Sequence, residues 1–242
     1  MQKTFDAIII GGGPAGASAA TILAEYGHEV IVIEREKFPR YHVGESLIPF
    51  TSAPLKRLGL RDRLVKSSFT KKHSVQFVGR SGKSSQPFYF ADRYPDDVAQ
   101  TWQVLRSEFD EMMLDHARDK GAHVLEETKV LDFIYDEEKV VGVTAKLNDG
   151  SEVSFKAPIT LDCTGKEAFG VGKKNWRVKD PYLNKVAVWT YYKGAKRDEG
   201  IDEGATTVAY VPNKGWFWYI PQHNDMVSVG VVAEGKYLTR DG

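Results

Sequence analysis

The sequence has a single cysteine and no net charge. Cys163 has no second cysteine for an internal disulfide or a shared zinc site, which favours a reducing, cytoplasmic compartment. The 33 basic and 33 acidic side chains cancel, so the overall charge indicates neither a nucleic-acid partner nor an acidic membrane surface. The six histidines are scattered without metal-ligand spacing, and no metal site is expected.

Low-complexity tracts and internal repeats are also missing. With 42% apolar and 27% charged residues in a chain of 242, we expect a folded protein of one or two domains. Residues 7–24 carry no charge, but three glycines and Pro14 interrupt this run and it lacks basic flanks. We therefore expect neither a membrane span nor a secretory signal.

The first 34 residues have the pattern of a β-α-β unit. Phe5–Ile10 predicts a buried strand, and apolar residues at helical spacing predict a helix from Pro14 to Gly27. Val30–Glu34 predicts a second strand. A right-handed crossover makes the two strands a parallel pair.

Later segments predict further helices and strands. We expect helices over residues 50–67 and Arg106–Lys120, the latter with Ser107 and Asp110 as candidate caps. Residues 124–160 are rich in β-formers, with a hairpin turn at Asn148-Asp149-Gly150 and another strand at Ile159–Cys163. Beyond residue 170, four strands are expected to form an antiparallel sheet: Val186–Tyr192, Thr206–Val211, Trp216–Ile220 and Met226–Ala233.

A glycine-rich turn joins the first strand to the first helix. It reads Gly11-Gly12-Gly13-Pro14-Ala15-Gly16 and satisfies GxGxxG. Gly11 permits the tight turn, Gly13 lets the backbone approach a pyrophosphate, and Gly16 allows close packing of helix and strand. The helix N-terminus attracts phosphates, and Glu34 at the end of the second strand is a candidate acceptor for ribose hydroxyls. A purely structural turn is the alternative.

Further segments, in order along the chain, resemble the superfamily of FAD-dependent monooxygenases and halogenases. They are Glu34-Arg35, Phe38-Pro39-Arg40, Gly44-Glu45-Ser46, Gln103-Val104-Leu105-Arg106 with Glu108-Phe109-Asp110, and Leu161-Asp162-Cys163-Thr164-Gly165. The resemblance implies that FAD is contacted by Gly11, Gly13, Pro14, Ala15, Gly16, Glu34, Arg35, Arg40, Ser46, Arg106 and Asp162. Cys163 is expected to be a small buried residue.

The segment Trp216-Phe217-Trp218-Tyr219-Ile220-Pro221 matches W-x-W-x-I-P, a signature of flavin-dependent halogenases. The resemblance implies that Trp216, Trp218, Ile220 and Pro221 fill space beside the flavin and disfavour ordinary monooxygenation. An aromatic strand in a sheet core is the alternative interpretation, because Trp and Tyr favour strands.

Flavin-dependent halogenases also use a lysine that activates hypohalous acid, as a haloamine or by hydrogen bonding. In the family this lysine stands five residues before a phenylalanine that begins a strand, and counting back from Phe77 gives Lys72. Lys71 is the second choice. Residues 61–84 contain seven basic residues against Asp62, so a solvated basic surface is the alternative.

The resemblance also implies the co-substrates and partners. A separate flavin reductase supplies FADH2, and O2 with chloride or bromide yields the halogenating species. Ala17 and Gly44-Glu45-Ser46 are closer to members that act on phenols or pyrroles, free or tethered to a carrier protein, than to those that act on tryptophan. The competing functions are an FAD-dependent monooxygenase, a prenyl-chain reductase, or a non-catalytic flavoprotein fragment.

The expected fold is α/β: a Rossmann-like FAD-binding domain with a β-meander, followed by a mainly antiparallel sheet. We expect the FAD-binding domain over residues 1–170, with a substrate-side insertion at about 66–100, and the β region over 171–242. The family's later Gly-Asp-Ala segment is not found here, so we expect this chain to be the N-terminal part of a longer enzyme.

Overall fold

A computed structural model describes residues 3–239, without the side chains of Asp96 and Asp97. The helices are α1 (Pro14–Glu25), α2 (Ser52–Arg57), α3 (Arg61–Lys66), α4 (Asp96–Ala99), α5 (Arg106–Asp119), α6 (Phe169–Lys173) and α7 (Gly235–Leu238). The strands are β1 (Lys3–Thr4), β2 (Ala7–Ile10), β3 (Val30–Ile33), β4 (Thr70–Lys72), β5 (Ser74–Val78), β6 (Phe88–Tyr89), β7 (Thr101–Gln103), β8 (His123–Leu125), β9 (Lys129–Asp136), β10 (Lys139–Lys146), β11 (Glu152–Lys156), β12 (Ile159–Asp162), β13 (Val186–Lys193), β14 (Thr206–Val211), β15 (Gly215–Pro221) and β16 (Met226–Ala233).

The chain divides into two compact units, each built from two separate segments. Unit 1 comprises residues 1–42 and 106–177, and unit 2 comprises residues 43–105 and 178–242. The predicted fold class is confirmed, because unit 1 carries the β-α-β fold and the meander, and unit 2 carries a largely antiparallel sheet. The division at residue 170 into an FAD-binding and a substrate domain stays a prediction.

In unit 1 a parallel sheet in the order β12-β2-β3-β8 holds the glycine turn at the end of β2. The predicted β-α-β pair is confirmed. Helices α1 and α5 pack against each other, and α1 also packs against β2 and β3. Because side chains alternate along a strand, Ile8 and Ile10 face away from Ile9, and they join the core formed with the second sheet.

The second sheet of unit 1 has the order β1-β11-β10-β9 and forms the predicted meander. Its buried side chains, among them Val143 and Phe155, pack against Ile31 and Ile33 of the parallel sheet. The predicted turn at residues 148–150 joins β10 to β11, and it is closed by the Leu147 N–H to Ser151 carbonyl bond of 2.9 Å. The apolar core between the two sheets thus stabilises the strand end that carries the glycine turn.

In unit 2 the six-stranded sheet has the order β13-β16-β15-β14-β5-β6. The four late strands pair antiparallel, as predicted, with no register shift. Strand β5 pairs in parallel with β14, so the segment before residue 100 joins the sheet of the C-terminal region. A separate two-stranded ladder, β4 with β7, places Lys72 opposite Thr101.

The single helix predicted over residues 50–67 is wrong. The segment forms a 3-10 turn at Pro49–Thr51, then α2 and α3. Gly59 interrupts it, because it adopts a left-handed φ of 75° and the Leu60 N–H reaches back to the Leu55 carbonyl at 2.9 Å. This is a Schellman end, which terminates a helix. The leucines that suggested a helix are nevertheless buried in the core.

The described helices are short. Over residues 3–239, none combines the length and the apolar character that crossing a bilayer requires. The same described residues contain no group of three or more His, Cys, Asp or Glu side chains arranged to hold a metal ion.

Candidate functional site

The glycine turn of unit 1 leaves no room for side chains at its first and last positions. Gly11 has a φ of +100°, and a Cβ there would lie 2.6 Å from the Cys163 carbonyl oxygen. A Cβ on Gly16 would lie 1.9 Å from the Gly11 carbonyl oxygen. The start of helix α1 therefore packs closely against the end of β2, as expected of GxGxxG.

A cavity of about 850 Å³ opens in front of this turn. Its lining includes Gly11, Gly13, Pro14 and Ala15, while the first turn of α1 contains no acidic side chain. The amide groups at a helix N-terminus lack intrahelical partners and carry the positive end of the helix dipole. The turn therefore presents hydrogen-bond donors and positive potential to the cavity, which suits a pyrophosphate.

Glu34 is buried at the end of β3 and lines the same cavity. One carboxylate oxygen accepts the Gly12 N–H at 2.7 Å, and the other accepts the Glu36 N–H at 2.9 Å. Each oxygen retains a further lone pair. The turn and the second strand are therefore joined through the residue that we predict to accept ribose hydroxyls.

Arg40 and Arg106 line the cavity around one buried carboxylate. Arg106 makes a bidentate contact to Asp110, at 2.7 and 2.8 Å, and Arg40 Nη1 lies 3.1 Å from the same carboxylate. The Asp110 side chain is 0% exposed. Arg40 also lies over the Phe38 ring, and its Nη2 lies 3.4 Å from where a Cβ on Gly13 would be. Arg40 Nε also pairs with the exposed carboxylate of Glu36 at 3.2 Å, so one buried and one exposed carboxylate hold the two guanidiniums beside the glycine turn.

The remaining charged groups of this cavity are more exposed. Arg35 forms an ion pair with Glu167, and both side chains are about half exposed. His42 has a lowered pKa because burial and then the neighbouring Arg106 and Arg40 disfavour its charged form. Arg35 and His42 both line the cavity, Arg35 as part of an ion pair and His42 as an imidazole that is protonated less readily than usual.

Asp162 closes β12 and shapes the next turn. Its carboxylate accepts the Thr164 N–H at 3.0 Å, the Thr164 hydroxyl at 2.6 Å and the Gly170 N–H at 2.7 Å. The residues that follow it, Cys163–Glu167, line the cavity. Cys163, expected to be buried, is only partly buried. This partial burial raises the pKa of its thiol, with Asp162 adding to the effect. The role predicted for Asp162 as an FAD contact stays a prediction.

In unit 2 the two candidate lysines lie on opposite faces of β4. Lys71 is exposed, whereas Lys72 is 5% exposed. Lys72 Nζ donates to the Leu47 carbonyl at 3.1 Å, lies 2.8 Å from Ser46 Oγ and lies 5.3 Å from the centre of the Phe90 ring. Burial lowers the pKa of Lys72 to about 8. Of the two, Lys72 has the environment of a reactive amine.

No carboxylate within the described side chains lies within 4.0 Å of Lys72 Nζ. Its polar surroundings are neutral instead: Ser46 Oγ is 2.8 Å from Thr206 Oγ1, which receives the side-chain amide of Gln103 at 2.8 Å. The neighbouring Glu45 is buried, and its carboxylate accepts the Tyr191 hydroxyl at 2.5 Å. Ser46, predicted as an FAD contact, is here a neighbour of the lysine.

The W-x-W-x-I-P segment forms strand β15, with Trp216, Trp218 and Ile220 on one face. The Trp218 indole covers Gly230 of the adjacent strand: a Cβ there would lie 2.2 Å from the indole ring. Its N–H donates to Ser228 at 3.1 Å. Trp216 is 41% exposed, while Ile220 and Pro221 are buried.

This sheet face also carries the residues around the lysine. Val208 pairs with Trp218, so Thr206, two residues earlier on β14, points to the same face. Tyr191 pairs with Ser228, which pairs with Ile220, and therefore shares that face as well. The tryptophan motif and the polar contacts of Ser46 and Glu45 thus belong to one surface of unit 2.

Sequence reasoning missed three residues of these sites. Asp110, considered only as a helix cap and within a family motif, is the carboxylate between two arginines. Its spacing of four from Arg106 was the available signal. Gln103 and Thr206 are connected across about 100 residues of chain, and no local pattern indicates such a contact.

A family model described as "FAD binding domain" matches residues 4–170. The chain belongs to the FAD-binding domain family. It is 34% identical over 94% of its length to the flavin-dependent halogenase armH4 of Armillaria mellea, covering 45% of that protein. It is 32% identical over 95% of its length to the 1H-pyrrole-2-carbonyl-[peptidyl-carrier protein] brominase of Pseudoalteromonas luteoviolacea, covering 55% of that protein.

Among solved structures, the myxobacterial chondrochloren halogenase CndH superposes with a TM-score of 0.89 at 32% identity. The match covers 99% of this chain and 55% of that one. The resemblance to flavin-dependent halogenases that the motifs indicated is confirmed. The chain spans about half the length of the curated relatives it matches.

Proposed function

We propose that the protein is a flavin-dependent halogenase that chlorinates or brominates an electron-rich aromatic compound. The observation that carries the proposal is Lys72, a buried lysine without a carboxylate partner among the described side chains, in a chain whose other unit offers a dinucleotide cavity. The similarity to halogenases along nearly the whole chain supports the same reaction.

In this proposal unit 1 binds FAD. The glycine turn and the N-terminus of α1 hold the pyrophosphate, Glu34 accepts the ribose hydroxyls, and Arg40 and Arg106 add positive charge. When bound and reduced, FAD would supply two electrons to O2, so that O2, a chloride or bromide ion and one proton give hypohalous acid and water, with FAD left oxidised. A separate flavin reductase supplies the reduced cofactor.

Lys72 activates the halogen. A neutral Lys72 amine can attack the halogen of hypohalous acid, releasing water and forming a haloamine that the aromatic ring then attacks. An N–H of the same side chain can instead donate to the oxygen of hypohalous acid, so that the ring attacks a polarised halogen. In both routes the ring gains the halogen, loses a proton and leaves Lys72 unchanged. Burial keeps a useful fraction of the amine neutral near neutral pH.

The substrate that we propose is a phenol or a pyrrole. The similarity to a brominase of carrier-bound pyrrole supports a ring tethered to a carrier protein as one form of the substrate. The exposed Trp216 and the neighbouring Trp218 provide aromatic surface on the sheet face of unit 2 against which a flat ring could stack.

The test is to supply full-length protein with FAD, a flavin reductase, O2, and chloride or bromide, and to analyse a panel of phenols and pyrroles by mass spectrometry. Halide-dependent halogenated products are expected. Hydroxylated or saturated products formed without halide would instead identify a monooxygenase or a prenyl-chain reductase. Absence of any product together with absence of bound flavin would identify a non-catalytic fragment.

Lys72→Ala tests the assignment of the lysine. We expect the halogenation rate to fall about 10²–10⁴-fold, with FAD affinity unchanged in a fluorescence titration. Lys66→Ala, an exposed lysine at the end of α3, is the matched control. If activity survives in Lys72→Ala and disappears in Lys71→Ala, the catalytic role moves to Lys71.

A further inference from the structure

Three polar side chains form a line of hydrogen bonds that ends at Lys72. Gln103 Nε2 lies 2.8 Å from Thr206 Oγ1, Thr206 Oγ1 lies 2.8 Å from Ser46 Oγ, and Ser46 Oγ lies 2.8 Å from Lys72 Nζ. Gln103 is 0% exposed, and Thr206 is also buried. A line of this kind has a direction, because each hydroxyl has only one hydrogen to donate.

The direction is set at Gln103. Its side-chain nitrogen also donates to the Gly204 carbonyl at 2.8 Å, and a carbonyl oxygen can only accept. The opposite amide orientation would set two oxygens against each other, so the NH2 group must face Gly204 and Thr206. Gln103 is therefore the donor to Thr206.

The direction continues at Thr206. Among the described contacts, its hydroxyl meets Gln103 and Ser46 only. Because Gln103 has no lone pair to offer on that nitrogen, the Thr206 hydrogen can be used only toward Ser46. A buried hydroxyl that leaves its hydrogen unused is unfavourable. Thr206 is therefore the donor to Ser46.

Ser46 then has one hydrogen left, and Lys72 Nζ is its other polar neighbour. If Lys72 is an ammonium, it donates to Ser46 and the Ser46 hydrogen finds no acceptor among the described contacts. If Lys72 is an amine, the Ser46 hydroxyl donates to its lone pair and every hydrogen in the line is used. We propose that Gln103, Thr206 and Ser46 form a relay of fixed direction that favours the neutral amine of Lys72 over its ammonium form.

The charged groups around Lys72 do not oppose this. Its chain neighbours Lys71 and His73 line a separate cavity of about 460 Å³, which Lys72 does not line. Glu45, next to Ser46, directs its carboxylate to the Tyr191 hydroxyl. Lys72 is packed against Phe90 and opposite Thr101, neither of which is charged.

The relay leaves one N–H of the amine for another molecule. A neutral lysine has two N–H groups and one lone pair; the Leu47 carbonyl accepts the first N–H at 3.1 Å, and Ser46 takes the lone pair. The second N–H is available to donate to hypohalous acid, and rotation of the Ser46 hydroxyl frees the lone pair for attack on halogen. In this respect the inference rests on the proposed function, with Ser46 and Thr206 as positioning residues.

The test is a direct titration of Lys72 in the full-length protein. Lysine labelled with ¹³C at Cε reports its own pKa by NMR, and Lys72→Arg assigns the signal. Thr206→Val keeps the shape of the side chain and removes the hydroxyl, so we expect the pKa of Lys72 to rise by roughly half a unit to one unit. Thr206→Ser should restore the wild-type value, since it restores the hydroxyl.

Two further variants keep the test decisive. Thr207→Val, one residue along β14 on the opposite face, is the matched control and should leave the titration unchanged. Ser46→Ala, at a half-buried position, should also raise the pKa, because it removes the donor to the amine. If Ser46 instead accepts from an ammonium, Ser46→Ala lowers the pKa, and that sign overturns the proposal. The proposal is also overturned if the titration curve of Lys72 in Thr206→Val is identical to that in Thr207→Val.

The titration separates this inference from the proposed function. A raised Lys72 pKa in Thr206→Val, with unchanged halogenation in Lys72→Ala, supports the relay and removes Lys72 from catalysis. An unchanged pKa in a protein whose halogenation depends on Lys72 refutes the relay and keeps the proposed function. If the relay and the catalytic role of Lys72 are both supported, the pH dependence of the halogenation rate should shift to higher pH in Thr206→Val by the same amount as the NMR pKa.

Discussion

Buried cationic side chains have different surroundings in the two units of the chain. In unit 1 the arginines beside the glycine turn share the buried carboxylate of Asp110, which fixes their direction. In unit 2 Lys72 is buried among neutral donors and acceptors, and none of the described carboxylates lies within ion-pair distance. A paired guanidinium stays charged and suits binding of phosphate, whereas an unpaired buried amine loses its proton easily and suits chemistry.

The largest expected effect comes from removing the carboxylate of unit 1. Asp110→Ala removes the buried carboxylate that two mostly buried guanidiniums share and leaves Arg40 with the exposed Glu36, so the free energy of unfolding should fall by about 3–5 kcal/mol. FAD affinity should fall at least about tenfold, since the arginines lose their orientation. Urea denaturation and a flavin fluorescence titration measure the two effects.

Asp115→Ala is the matched control for that variant, because Asp115 is an exposed residue of the same helix that pairs with Arg118. It should cost less than about 1 kcal/mol. If Asp110→Ala and Asp115→Ala lowered the free energy of unfolding equally, the buried ion pairs of Asp110 would contribute no more to stability than the exposed pair of Asp115.

The next effect concerns pH and Lys72. The folded protein lowers the pKa of this lysine from 10.5 to about 8, while the unfolded chain keeps the ordinary value. Between these values the unfolded state binds the additional proton, so wild-type stability rises with pH over that window. At pH 7 Lys72 is largely protonated in both states, and the folded state bears most of the cost of the buried charge.

Lys72→Met removes this linkage. The stability of wild type relative to Lys72→Met should therefore increase by about 3 kcal/mol between pH 7 and about 10.5. Chemical denaturation of both proteins across this range measures it, and Lys71→Met at the exposed neighbouring position is the control. A constant difference between wild type and Lys72→Met would mean that Lys72 is not buried as an unpaired cation.

The smallest effect is expected at the exposed pair of unit 1. Arg35 and Glu167 are each about half exposed, and solvent screens their attraction. Arg35→Ala should lower the free energy of unfolding by less than about 1 kcal/mol, and any loss of FAD affinity should shrink at high salt. A loss as large as that of Asp110→Ala would remove the distinction between buried and exposed pairs.

Local patterns predicted much of the fold. The glycine turn, the strands on either side of α1, and strands β14 and β16 could be located because hydrophobic periodicity and turn residues are local signals. The helix expected over residues 50–67 failed at Gly59, whose left-handed conformation ends a helix despite the leucine spacing. The parallel pairing of β5 with β14 has no local signal at all.

The candidate site divides in the same way. Motif spacing identified Lys72 as a candidate, but only the alternation of β4 separates it from the exposed Lys71. The relay through Thr206 and Gln103 depends on contacts between distant segments, which residue spacing does not report. Residue types therefore indicated the chemistry, while the protonation of those residues depends on the tertiary structure.

The parallel pairing of β5 with β14 has a consequence for synthesis on the ribosome. Val75 pairs with Thr206, so at about 5–20 residues per second roughly 7–26 s of translation separate the two partners. During that time β5 has an open edge that can pair with other chains. The environment of Lys72 can be completed only when Thr206 has left the ribosomal tunnel, which makes the lysine site a late product of folding.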